Sequence, residues 1–82
     1  MAVNFENLIK QIVTPLVSHP EDVLVKTLSD EGKELAIQVL VNEEDLGRVI
    51  GKGGKIASAI RTIVYAGASK EGVRVRIDID AF

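Results

Sequence analysis

Gly51, Gly53 and Gly54 fall within four residues, with Lys52 between them and Lys55 directly after. Glycine has no Cβ, so such a run turns more tightly than any run of side chains and lets a ligand approach the backbone itself. Apolar residues at helical spacing on both sides place the turn between two amphipathic helices. The start of the second helix offers unpaired N–H groups and the positive end of a helix dipole, which together suit an anion such as phosphate. Lys52 and Lys55 add mobile positive charge. Every nucleotide carries the same phosphodiester, so this apparatus positions a strand without reading its sequence. Base contacts have to come from neighbours. Val49, Ile50 and Ile56 flank the turn and are candidates for lining a groove where unpaired bases rest, although each is also a plausible core residue.

Two other glycine motifs would make the chain a nucleotide-binding enzyme, and both fail on spacing. A dinucleotide fingerprint starting at Gly51 needs a third Gly where Ile56 stands, and a strand before it where the pattern is helical. A Walker loop ending in Gly51-Lys52 needs Gly at Leu46 and Ser or Thr at Gly53. His19 is the sole histidine and sits beside Pro20, where a capping or surface role is the simpler reading than general base. Asp78 and Asp80 share one face of a strand; alternation with Val and Ile explains them as solvated residues rather than a magnesium or acid-base pair. Tyr65 is read as packing over a helix-sheet junction rather than stacking on a base. With no cysteine and one histidine, neither a zinc site nor a nucleophilic triad can be assembled, so no catalytic residue, metal or cofactor is expected.

The 82 residues suffice for one modest core and one domain, and 46% apolar with 27% charged residues is the profile of a folded soluble chain. The longest stretch free of Asp, Glu, Lys and Arg, Gln11 to Pro20, holds both prolines and is far shorter than the roughly 20 residues that cross a bilayer. Met1 to Glu6 lacks the basic segment and apolar run of an export signal, which sets a cytoplasmic location as the expectation. The net charge of −2 would oppose nucleic-acid binding if it were evenly spread. It is not: Leu46 to Ser69 carries Arg48, Lys52, Lys55 and Arg61 and no acid, while Glu43, Glu44 and Asp45 precede it. Those cations are either a solvated face or a phosphate-facing patch, and the adjacent glycines favour the second.

The elements that must position the turn are legible from periodicity. Phe5, Leu8, Ile9, Ile12, Val13 and Leu16 recur at helical spacing behind Asn4, predicting a helix to about Ser18, kinked or cut short by Pro15. Val23 to Ser29 and Leu35 to Val41 read as strands joined through the turn Asp30-Glu31-Gly32-Lys33. Asn42 is a cap for a short helix whose first turn holds Glu43, Glu44 and Asp45 and which should end at Gly51. A second helix should begin near Gly53-Gly54, bury Ile56, Ile60, Ile63 and Val64, and end at Gly67 or Gly72. Val73, Val75, Ile77 and Ile79 alternate with Arg74, Arg76, Asp78 and Asp80 as a last strand. The order is α-β-β-α-α-β. A long helical crossover usually joins parallel strands, so the expectation is a two-layer α/β (α+β) sandwich. Its three-stranded mixed sheet is covered on one face by three helices, leaving Gln38, Arg74, Arg76, Asp78 and Asp80 on the open face.

The run Val49-Ile50-Gly51-Lys52-Gly53-Gly54-Lys55-Ile56-Ala57 resembles the signature of KH domains, in which Ile-Gly-x-x-Gly-x-x-Ile joins two helices and its glycine loop clamps a nucleic-acid backbone. The Ile-Gly-x-x-Gly part matches, and Ala57 stands where the final Ile belongs, with Ile56 one residue earlier. The element order is similar to the type II, or prokaryotic, arrangement, and the likeness spans essentially the whole chain, motif helices and loop falling at about 43–68. Such a short KH domain resembles the small bacterial KhpA family of RNA-binding proteins. That resemblance implies a site made of Arg48, Val49, Ile50, Gly51, Lys52, Gly53, Gly54, Lys55 and Ile56, holding about four unpaired nucleotides. It also implies a homodimer, a heterodimer with a larger KH-containing protein of KhpB type, and a role as RNA chaperone or post-transcriptional regulator. Two alternatives share the same residues: a dimerisation module with a vestigial loop, and a binder of single-stranded DNA.

Overall fold

The computed structural model describes residues 4–82; the reading of Met1 to Val3 as a start without an export signal lies outside them. Asn4 opens α1, Phe5–Val13, its side-chain oxygen accepting the Asn7 N–H at 3.0 Å, and Phe5, Ile9 and Val13 form its buried face. The regular helix is shorter than expected because Pro15 has no N–H to continue it, and the chain tightens into a 3₁₀ turn over Thr14–Leu16. A second such turn, Pro20–Asp22, leads into the sheet.

Strand β1, Leu24–Asp30, pairs antiparallel with β2, Glu34–Val41, through the expected turn, where Gly32 takes φ +80° and the Asp30 carboxylate accepts its N–H at 3.1 Å. A bulge between Thr27 and Ser29 shifts the register. After β2 a 3₁₀ turn, Glu43–Asp45, precedes α2, Leu46–Ile50; α3, Lys55–Lys70, then returns the chain to β3, Arg74–Ala81, parallel to β2. The sheet is thus mixed, in the order β1-β2-β3, with β2 central. Helix α1 packs over β1, α2 lies against β3, and α3 contacts α1, α2 and β3. The expected two-layer architecture holds.

Alternation sorts the strands between layers. Ile37, Val39 and Val41 on β2, and Val75 and Ile77 on β3, point under the helices and are buried, whereas Arg74, Arg76, Asp78 and Asp80 are exposed on the other face. Each fully buried Val or Ile contributes about 1.5–3 kcal/mol. Both borders of the sheet are stopped by a side chain from the helical layer. Glu6 of α1 accepts the backbone N–H and the hydroxyl of Thr27 on β1, and Arg61 of α3 donates from Nε and Nη2 to the Ile77 carbonyl on β3.

Helix α3 departs from expectation in its rotation. The buried face is Ala57, Ile60, Val64 and Ala68, while Ile56 is 36% and Ile63 54% exposed. At 3.6 residues per turn this is a rotation of about 60° from the face with the larger side chains. Two alanines share the inner face with Ile60 and Val64, while Ile56 and Ile63 are left outside. Ala57, standing where the family pattern has its final Ile, therefore occupies the core position, and Ile56 does not. Gly67 passes through the helix with an ordinary contact to Phe5, and Gly72 (φ +70°) ends it. There the Val73 N–H bonds Ala68 and the Gly72 N–H bonds Ser69, a Schellman arrangement.

Candidate nucleic-acid interface

Three glycines bend the chain between α2 and α3, each for its own reason. Gly51 closes α2 by donating its N–H to the Gly47 carbonyl at 2.8 Å and adopts φ 78°, ψ 169°, a region open almost only to glycine. It is also crowded: a Cβ there would lie 2.6 Å from Ile56 Cγ1 and 2.9 Å from the Ile56 nitrogen. Gly53 (φ 64°, ψ 19°) and Gly54 (φ 76°, ψ 13°) are left-handed, yet nothing lies within 4 Å of where their Cβ atoms would be. Glycine at these two is favoured by backbone conformation rather than by lack of room, and the space before them is open. The Gly54 N–H donates to the Gly51 carbonyl at 3.1 Å and fixes the turn. No side chain caps the start of α3, and the Lys55 N–H is taken up within the turn by the Lys52 carbonyl.

Lys52, Lys55 and Arg48 stand exposed around the turn, and none forms an ion pair among the described residues. Ile50 is half-buried and Ile56 reaches the surface beneath Gly51, so both flank the turn. Val49, expected to line the groove, is wholly buried instead and supports α2 from below. Arg61, the fourth cation of the acid-free segment, is not at the turn. It lies two helical turns farther along α3, partly buried, with its guanidinium on the border of β3 at 3.0 and 3.3 Å from the Ile77 oxygen. Tyr65 lines a cleft with Val73 and Val75 and keeps 42% of its surface exposed, so it covers the junction only in part.

The other end of the α2 segment is held by side chains. Asp45 is buried, and its two carboxylate oxygens accept the backbone N–H groups of Ser18 and His19 at 2.8 and 2.9 Å. Burial is the largest single influence on this carboxyl and pushes it up. The two backbone hydrogen bonds, with the charges of His19 and Arg48, outweigh burial and hold it below its ordinary value. Asn42 accepts the Glu44 N–H at 2.8 Å and donates to Asp22 at 3.0 Å. His19 Nε2 meets Glu44 Oε1 at 2.8 Å, and this hydrogen bond raises the imidazole, with Asp45 and Glu21 adding to it against some desolvation. Periodicity placed Asp45 only in a helix's first turn. Its partners lie 26 and 27 residues away, and no local pattern signals that pairing. His19, Glu21 and Asp22 bring ligating atoms within 4.8 Å, but His19 and Asp22 already engage Glu44 and Asn42.

A glycine turn open to solvent, set between two helices and braced on a mixed three-stranded sheet in this order, defines a KH domain of type II. A family model described as "KhpA/KhpB, KH domain" matches residues 6–79, and the chain belongs to that family. It is 51% identical over 74 residues to the RNA-binding protein KhpA of Listeria monocytogenes, covering 90% of this chain and 96% of that one. With the RNA-binding protein KhpA of Bacillus subtilis it shares 41% over 76 residues, covering 93% of each. Among solved structures, Aquifex aeolicus Era bound to GDP and aluminium fluoride superimposes with a TM-score of 0.69 at 15% identity. The match covers 95% of this chain and 30% of Era, which shows a shared fold alone.

Proposed function

We propose that this chain is a single KH domain that binds single-stranded RNA without catalysis, on a site formed by Gly51 to Lys55 with Arg48, Ile50 and Ile56. The observation that carries this reading is the open space before Gly53 and Gly54, flanked by cations with no protein partner among the described residues. Relatives named RNA-binding proteins at up to 51% identity support it. Such a module acts as an RNA chaperone or post-transcriptional regulator in the cytoplasm, and no helix among the described residues is long and apolar enough to cross a membrane.

A site for about four nucleotides binds weakly alone and gains affinity when two are linked, which supports a homodimer. Ala59, Ile63 and Ala66 form an exposed stripe along α3 in which a large residue sits between two small ones. Two antiparallel copies fit knob into hole on such a stripe. Arg61 lies about half a turn round the helix from it, so pairing leaves that flank free. The same stripe is the surface on which a larger KhpB-type protein, whose KH domain falls under the same family description, would pair. Sedimentation at high micromolar concentration should show a species twice 8.9 kDa, shifted to monomer by Ile63→Glu.

The test of the RNA site is the double substitution Lys52→Asp with Gly53→Asp. Asp is among the residues best tolerated at positive φ, so the cost in stability stays near 1 kcal/mol. Binding of single-stranded RNA should collapse, because one phosphate contact is lost and two carboxylates occupy the anion's place. A folded double mutant that binds as the parent does at equal salt refutes the loop as the site.

A further inference from the structure

Arg61 is fixed in an unusual way for a surface cation. The Nε and Nη2 atoms both donate to one acceptor, the Ile77 carbonyl on the outer border of β3, at 3.3 and 3.0 Å. An arginine has five N–H donors in a planar fork. Sharing one oxygen between Nε and Nη2 uses the lateral edge of that fork and leaves the terminal edge, one N–H from each Nη, pointing away. Helical geometry places the residue itself relative to the turn. Gly54, Ser58 and Arg61 follow at spacings of four and three, so they share one flank of α3, with Arg61 about 10 Å along the axis from the turn. Ser58 is exposed, and nothing larger stands on this flank between turn and guanidinium.

From this we infer that Arg61 is the base-reading residue of the interface, presenting a preset two-donor edge to nucleotides next to the one whose phosphate sits on Gly53 and Gly54. The inference rests on the loop reading proposed above and extends it from backbone holding to base choice. The chemistry selects the base. Two parallel donors fit two adjacent acceptors: O6 and N7 of guanine, or O2 and N3 of cytosine. Adenine pairs its N7 with a donor, and uracil has an N–H between its carbonyls, so neither satisfies the fork. Because the guanidinium is already immobilised by Ile77, its ordering cost is met on folding rather than on binding. The flexible Lys52 and Lys55 have no such constraint and suit phosphate.

The experiment measures binding of uridine octamers carrying one central guanosine, cytidine, adenosine or uridine to the parent and to Arg61→Lys, Arg61→Gln and the Lys52→Asp, Gly53→Asp double mutant. For the parent, guanosine and cytidine octamers should bind roughly 5- to 100-fold more tightly than the other two, the range of a bidentate base contact. Arg61→Lys keeps the charge and can still reach Ile77, so it should bind the all-uridine octamer within about twofold of the parent and lose the discrimination. No discrimination by the parent overturns the proposal. So does a loss in Arg61→Lys that is equal for all four octamers, which would mark a phosphate contact or a purely structural cap. The double mutant separates the two claims, since normal binding by it refutes the loop site whatever Arg61 does. The nitrogen-15 spectrum of arginine Nε–H in the parent needs no variant. The Arg61 signal should move on adding the guanosine octamer and stay on adding the all-uridine one, and an unmoved signal at saturation overturns the inference.

Discussion

Asn42–Asp45 and Gly51–Gly54 bracket the same five-residue helix, α2, and are built on opposite plans. At the first, side chains do the holding: Asp45 is buried with both oxygens engaged by Ser18 and His19, and Asn42 ties Glu44 to Asp22. At the second no side chain holds anything. Backbone torsions define the turn, and two of its three glycines face empty space. A short helix has too few internal hydrogen bonds to be stable alone. Fastened at its entrance and packed through Val49, α2 can deliver a turn of fixed shape at its exit while leaving that turn unobstructed. Rigidity and openness are obtained at different ends of one element.

Substitutions at the two ends should therefore separate stability from binding, and the largest effect belongs to Gly51. Gly51→Ala combines a torsional region nearly closed to alanine with a collision against Ile56, so it should cost more than about 2 kcal/mol in urea unfolding and abolish RNA binding. Asp45→Asn comes next. The amide supplies one acceptor where the carboxylate supplied two, leaving a part-buried N–H of Ser18 or His19 without its partner; melting temperature should fall, while RNA affinity of the folded fraction stays near the parent's. Gly53→Ala meets no neighbour and carries only the left-handed strain, about 1 kcal/mol, but its methyl enters the open space proposed for phosphate. It should lose affinity severalfold with little loss of stability, the reverse of Asp45→Asn, and equal losses from both would break the comparison.

The smallest effect concerns pH. His19 is raised above 6.5, so its contribution is full below that value and fades as pH rises through the raised one. Asp45 is lowered below 3.8, so its contribution is full above that value and is lost as pH falls through the depressed one. The anchor should be tightest between those limits. Glu44→Gln removes the main cause of the His19 shift and should flatten the decline of the urea midpoint on the alkaline side, leaving the acid side unchanged. The step is small because Glu44 is exposed to solvent.

The open end was the legible one. Three glycines in four residues announce a turn without knowledge of anything distant, and the strands announce themselves by alternation because each has one covered face. What eluded the sequence depended on long separations. The role of Asp45 needs Ser18 and His19 brought next to it, and the lateral hold of Arg61 needs Ile77. Helix α3 misled for a different reason: two apolar stripes compete on it, and the buried one carries Ala57 and Ala68 where hydrophobicity alone favours the stripe of Ile56 and Ile63. The exclusion of both nucleotide-binding glycine motifs rested on residue spacing, and the helix-turn-helix seen around Gly51 agrees with it.

Glu6 on Thr27 and Arg61 on Ile77 have a further consequence wherever copies of the chain come close together. A sheet border with free N–H and C=O groups is a template for adding strands, and crowding raises the chance that two borders meet. Here a charged side chain stands across each border, and the bulge after Thr27 bends β1 besides. Each obstructs the addition of a strand at that point. Copies brought close together are thus steered toward contact through side chains rather than toward fusing into a continuous ribbon.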